Sequence, residues 1–120
     1  MQRTTTTLTR ATLARDAIAV MQAQYAAELT LDDVARQIAT SRRQLQRCFD
    51  EHSDAPFRQS LARIRMHRAA ELLAETSIPV RDIAAQVGYR QPAQFARAFT
   101  RVHGLPPAQY RAHRRHVLAA

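Results

Sequence analysis

The chain contains no lysine. All eighteen of its basic residues are arginine, set against ten acids, for a formal charge of +8 over 120 residues. That absence excludes Schiff-base chemistry on lysine, a Walker-type phosphate loop and a kinase-like catalytic lysine. Glycine is scarce as well: Gly88 and Gly104 are too few and too far apart for a glycine-rich nucleotide cradle. Cys48 is the single cysteine, so no internal disulfide can form, and a reducing cytosol is the expected compartment. Arg10 and Arg15 interrupt the N-terminal region, so neither a signal peptide nor a membrane span is expected. No paired carboxylates, metal-ligand cluster or nucleophile–base pair stands out, so the chain is expected to hold no catalytic residue, metal or cofactor. His113 and His116 stand three apart without a third ligand nearby, and read as part of a basic tail.

Acid is missing from the last third of the chain. Residues 1–82 hold twelve arginines and all ten acids, whereas residues 83–120 hold Arg90, Arg97, Arg101, Arg111, Arg114 and Arg115 and no acid. Such a block is the footprint of a polyanion partner, nucleic acid or an anionic membrane surface. Plain solubility, with a coding bias toward arginine and alanine, is the bland alternative. Membrane binding is disfavoured because the basic residues do not alternate with a large exposed apolar face. With 46% apolar and 23% charged residues, what remains is one globular domain, large enough to bury about two thirds of its unfolded surface.

Apolar residues recur at helical spacing and no stretch alternates with period two, so the predicted fold is all-α with about seven helices. Residues 1–11, including Thr4 to Thr7, lack periodicity and are expected to form a loose tail. Leu13, Ala17, Val20 and Met21 mark a first helix from about Thr12 to Ala27. Thr30 caps a second, with Asp32 and Asp33 in its first turn and Leu31, Val34, Ala35 and Ile38 inward. Thr40 or Ser41 caps a third, with Leu45, Cys48 and Phe49 inward; Cys48 therefore reads as buried and inert. A long helix follows over Phe57 to Glu75, with Leu61, Ile64, Ala69, Leu72 and Leu73 on one side and Arg65 among them, needing Asp33 or Asp82 as partner. Pro79 opens a short helix carrying Ile83, Ala84 and Val87, ended by Gly88 in a left-handed cap. Pro92 opens another, with Phe95, Ala98, Phe99 and Val102 inward, and Gly104 ends it. Pro106-Pro107 start a last short helix through Tyr110. The expected divisions are a tail at 1–11, subdomains at 12–55 and 77–112, a linker helix at 56–76, and a basic tail at 113–120.

Two stretches repeat. Leu31-Asp32-Asp33-Val34-Ala35-Arg36-Gln37-Ile38 lies over Val80-Arg81-Asp82-Ile83-Ala84-Ala85-Gln86-Val87 at an offset of 49. Beyond the turn the offset is 50: Leu45 over Phe95, Arg47 over Arg97, Phe49 over Phe99, Pro56 over Pro106. Each unit is a short helix, a tight turn and a second helix, the helix-turn-helix pattern. Ala35 and Ala84 let the helices approach; Ile38 and Val87 fill the angle between them.

Packing leaves each second helix an outward face. In the first unit it carries Arg43, Gln46, Arg47 and Asp50, spaced as one stripe. In the second it carries Gln91, Ala93, Gln94, Arg97 and Arg101. Arginine pairs bidentately with guanine and glutamine with adenine, so Arg43, Gln46, Arg47, Gln94 and Arg97 are base-reading candidates. Ser41, Arg42, Arg90, Gln91, Arg101 and Arg111, at the helix starts and flanks, are candidates for phosphates. The linker's nineteen residues span about 28 Å, against roughly 34 Å per turn of duplex. A rigid helix of that length suits two reading heads at successive major grooves, so that a monomer does the work of paired repressor subunits.

Over residues 12–112 the chain resembles the DNA-binding domain of AraC/XylS-type transcription regulators. The resemblance rests on Asp82-Ile83-Ala84, Val87-Gly88-Tyr89, Phe95, Arg97 and Phe99, followed by Gly104, Pro106-Pro107 and Tyr110-Arg111. Val34-Ala35 through Ser41, Leu45, Gln46, Arg47 and Phe49 is looser but in register, and Arg65 and Ala69 match the family's linker helix. The resemblance implies a seven-helix, two-subdomain fold whose recognition helices enter adjacent major grooves of promoter DNA. It implies base contacts at Arg43, Gln46 and Arg47 in the first head and at Ala93 and Arg97 in the second. Three departures stand out. Ser60 replaces an aromatic of the linker helix, Ala93 replaces a DNA-contacting polar residue, and Pro92 removes a backbone donor. The first head is therefore expected to dominate specificity and the second to supply backbone affinity. The resulting expectation is a sequence-specific double-stranded DNA-binding regulator, an activator with RNA polymerase as further partner. The alternative is a protein-interaction module, or the fragment of a larger regulator that docks polymerase or an effector domain.

Overall fold

The computed structural model describes residues 2–53 and 55–119, and every regular element among them is an α-helix. The helices are α1 (Gln2–Gln24), α2 (Leu31–Gln37), α3 (Arg42–His52), α4 (Phe57–Glu75), α5 (Val80–Gln86), α6 (Pro92–His103) and α7 (Pro107–Ala119). The chain divides into two compact units, Met1–Leu61 and Ala62–Ala120. The linker helix expected as a separate segment is therefore shared. The opening residues of α4 belong to the first unit and the rest to the second.

The first unit is built from α1, α2 and α3. Thr30 caps α2 in a full capping box: its hydroxyl accepts from the Asp33 amide at 3.1 Å, and its own amide donates to Asp33 Oδ2 at 3.0 Å. The Thr30 amide and hydroxyl, aided by Arg36, hold the Asp33 carboxyl below the usual carboxylate range. Ala17 and Met21 of α1, Leu31, Val34 and Ala35 of α2, and Leu45, Cys48 and Phe49 of α3 form the core, with Phe49 edge-on to Phe57 at 5.8 Å. Burial pushes the Cys48 thiol pKa up, as suits an inert core residue. The side-chain amides of Gln24 and Gln37 bond reciprocally at 2.7 and 2.8 Å, tying the ends of α1 and α2.

The loose tail expected at residues 1–11 is corrected by the structure, because α1 begins at Gln2. Arg10 explains why its later part is held. Its guanidinium donates to both carboxylate oxygens of Glu51 on α3, at 2.8 and 3.0 Å. The threonine tract disfavours a helix by only a few tenths of a kcal/mol per residue, a local bias that an anchored helix overrides. The tail expected at 113–120 is likewise helical through Ala119; no glycine or proline follows Pro107 to stop it.

In the second unit α5 and α6 repeat the arrangement of α2 and α3. Both short helices end in the same pair of bonds. Thr40 N–H donates to Ala35 O and Ala39 N–H to Arg36 O; Tyr89 N–H donates to Ala84 O and Gly88 N–H to Ala85 O. This is the Schellman closure, which needs a left-handed residue just past the helix end. Gly88 supplies it at φ 97°, and Ala39 takes the equivalent place at φ 58°. Ile83, Ala84, Val87, Phe95 and Phe99 are buried with Met66, Ala69, Leu72 and Leu73 of α4. Val102, expected inward, is 44% exposed. The aromatic line Tyr89–Phe95–Phe99–Tyr110, with ring centroids 5.2 to 5.9 Å apart, closes the unit. Arg65 lies over the Tyr89 ring at 5.6 Å, a cation–π contact.

Candidate nucleic-acid interface

The outward faces of α3 and α6 are set by their inward ones. On α3, burial of Leu45, Cys48 and Phe49 turns Arg43, Gln46, Arg47 and Asp50 outward, and all four are exposed. On α6, burial of Phe95 and Phe99 leaves Ala93, Gln94, Arg97 and Arg101 exposed. Ser41, Arg42, Arg90 and Gln91 at the helix starts are exposed too. The expected residues of each head are thus exposed on their unit, with a single exception.

The exception is Arg111, expected among the phosphate contacts. It turns inward. Its Nε donates to Leu73 O at 3.1 Å and its Nη2 to Ile78 O at 2.6 Å. Together with Arg115, whose Nη2 reaches Thr76 O at 3.3 Å, it satisfies one carbonyl in the last turn of α4 and two in the connection to α5. Partial burial lowers the Arg111 pKa. It braces the second unit and leaves the reading face to others.

The two heads differ in detail. Ser41 caps α3 through its hydroxyl, which accepts from the Gln44 amide at 3.1 Å and keeps only its O–H for a phosphate. Gln91 precedes α6 without a side-chain cap bond, and Pro92 occupies the first helical position. Arg42 makes a loose contact with Asp32, 3.8 Å apart on the surface. Gln46 donates from Nε2 to Asp50 Oδ1 at 3.1 Å. At the offset of 50 the first head's Arg43, Gln46, Arg47 and Asp50 face Ala93, Ala96, Arg97 and Thr100. Thr100 turns its hydroxyl onto Ala96 O at 2.7 Å. Only the arginine at the third place survives in the second head.

Charge divides the opposite way. The first unit carries eight arginines and seven acids, net +1; the second carries ten arginines and three acids, net +7. The outward face of α3 is rich in arginine and glutamine on a nearly neutral unit, and that of α6 is poorer in them on a strongly basic unit. The bond between Gln46 and Asp50 was not anticipated, although a Gln–Asp pair four residues apart on a helix is a recognised stabilising spacing.

Residues 34–113 match the family described as a helix-turn-helix domain. The lactose operon transcription activator of Staphylococcus xylosus is 32% identical over 97 residues, which cover 81% of this chain and 35% of that protein. Two further curated relatives are covered over 13% and 30% of their length, so the chain spans about a third or less of these proteins. Among solved structures, a transcriptional regulator from Chromobacterium violaceum, described as of AraC-type DNA-binding domain-containing proteins, superposes with a TM-score of 0.81 at 27% identity, over 85% of this chain and 91% of that one. The DNA-binding domain of AdpA, a global transcriptional factor, in complex with a target DNA, superposes with a TM-score of 0.78 at 28% identity, over 86% and 92%.

Proposed function

This chain belongs to the AraC-type family of helix-turn-helix DNA-binding domains, and on that premise we propose that it regulates transcription by binding promoter DNA sequence-specifically. In this reading α3 lies in the major groove and reads base edges through Arg43, Gln46 and Arg47. The second unit contributes fewer base contacts, through Ala93, Gln94 and Arg97, and more phosphate contacts, through Arg90, Gln91 and Arg101. Ser41 and Arg42 hold the backbone at the start of α3.

The observation that carries the reading is the duplicated, capped helix-turn-helix whose exposed faces bear arginine and glutamine where packing leaves room for a duplex. One chain has two such helices, so one chain per site is the expected stoichiometry. Activation, with RNA polymerase as the partner on the promoter, is favoured by the relative named a transcription activator. Such work takes place on chromosomal DNA in the bacterial cytoplasm.

Selection of bound duplexes from a random-sequence library, using the whole chain, tests the proposal. Enrichment of a defined site is expected. A bound pool no different from the starting library would overturn sequence-specific reading and leave the exposed faces to a protein partner.

A further inference from the structure

Asp50 is out of place on a face that meets a polyanion. It shares the stripe of Arg43, Gln46 and Arg47, it is exposed, and it sits in the last turn of α3, where the helix dipole disfavours a carboxylate. The adjacent Glu51 has a packing role, receiving both bonds from Arg10. Asp50 instead accepts from Gln46 Nε2 at 3.1 Å.

A carboxylate oxygen accepts and does not donate, so the nitrogen end of the Gln46 amide must face it. A flipped amide would set Oε1 against the carboxylate. Nε2 carries two hydrogens; the bond to Asp50 leaves one for a base, together with Oε1. One donor beside one acceptor is the pattern that adenine N7 and N6 complement in the major groove. An unheld amide is free to turn and present N–H groups alone, which suit the acceptors of guanine. The second unit lacks the device: Ala96 and Thr100 stand in the equivalent places, and the Thr100 hydroxyl is bonded to the helix backbone.

We propose that Asp50 is a specificity-determining positioning residue, which orients the Gln46 amide so that the first head prefers adenine to guanine at the base pair Gln46 meets. The inference rests on base reading by α3, and its test separates the two. The whole chain and its Gln46→Ala, Asp50→Ala, Asp50→Asn and Gln46→Ala/Asp50→Ala variants are each selected against a randomised duplex library. Comparison of the parent chain with Gln46→Ala identifies the pair that Gln46 reads. There the parent is expected to favour A·T over G·C, and Asp50→Ala to lower that preference by about tenfold, within the range one bidentate base contact supplies. Asp50→Asn is expected to keep only part of the preference, since its amide can accept from Nε2 through Oδ1 but can also turn and donate to Oε1. In the Gln46→Ala background the loss of Asp50 is expected to change nothing at that pair. An unchanged preference in Asp50→Ala would overturn the positioning role. So would a change confined to a pair that Gln46→Ala leaves alone, which would mark a direct contact between Asp50 and a base. If the parent chain selects no site, base reading fails and the inference falls with it; if it selects one that Asp50→Ala reproduces, only the positioning role falls.

Discussion

Ala39 sits at φ 58° in the turn between α2 and α3, where the second unit has Gly88 at φ 97°. Left-handed backbone brings Cβ against the following carbonyl, which costs an ordinary L residue about 1–2 kcal/mol. Part of that is recovered in the unfolded chain, where glycine has more freedom to lose. Ala39→Gly is therefore expected to raise stability by up to about 1 kcal/mol, and Gly88→Ala to lower it by about as much, both read from urea midpoints. A second prediction concerns Arg47, exposed on the stripe of α3. Arg47→Ala is expected to weaken binding to the selected site by about 1–3 kcal/mol and to random duplex by less. Equal losses on the two would make Arg47 a phosphate contact. Arg47 could be picked out beforehand because a side chain's direction on a helix follows from its spacing to Leu45 and Phe49. Arg111 could not, because its two carbonyl acceptors lie 38 and 33 residues away along the chain.

At the scale of the element, helix ends carry most of the legible information. Thr30, Ser41 and Gly104 are caps in the structure as in the sequence, and α4 spans Phe57–Glu75 as expected. Capping is local chemistry: a hydroxyl or carboxylate meets amides two or three residues on. Thr30→Ala is expected to lower stability by about 1 kcal/mol. The Asp33 carboxyl in the same box has a pKa lowered chiefly by the Thr30 amide. Its contribution is thus fully present above the range where free carboxylates titrate, and fades as pH falls through that range to the lower folded value. Asp33→Asn is expected to flatten this acid limb in denaturation profiles measured from neutral to strongly acidic pH. The other end of α4 depends on distant residues. Removing Arg111 strips Leu73 O and Ile78 O of their donors, so Arg111→Ala is expected to destabilise the second unit by about 2–3 kcal/mol. Amide exchange in α5–α7 should rise more than in α1–α3.

For the molecule as a whole, charge is the dominant quantity. The net +7 on the second unit against +1 on the first predicts affinity driven by release of counterions from the duplex. With roughly six to ten phosphates neutralised, binding to the selected site should fall by about three orders of magnitude or more between about 50 and 200 mM salt. A change smaller than about tenfold would contradict that account. The slope should belong mainly to the second unit: Arg90→Ala or Arg101→Ala is expected to flatten it, with little change in the order of preferred sequences.

By itself the sequence determined the all-α class, the duplicated helix-turn-helix and the exposed faces of α3 and α6. Each follows from periodicities and caps that act over a few residues, and a repeat such as Ala35 over Ala84 makes them visible twice. Tertiary structure decided whatever depends on acceptors brought from far along the chain. It bonded Arg10 to Glu51, held Arg111 on backbone carbonyls, set Arg65 over Tyr89 and left Val102 half exposed. The missing lysines stand on the same divide. Their absence shows at once that every permanently charged basic side chain here is a guanidinium, whose fork can bond two acceptors. Only the fold determines whether those acceptors are offered by a duplex or, as at Arg111, by the protein's own backbone.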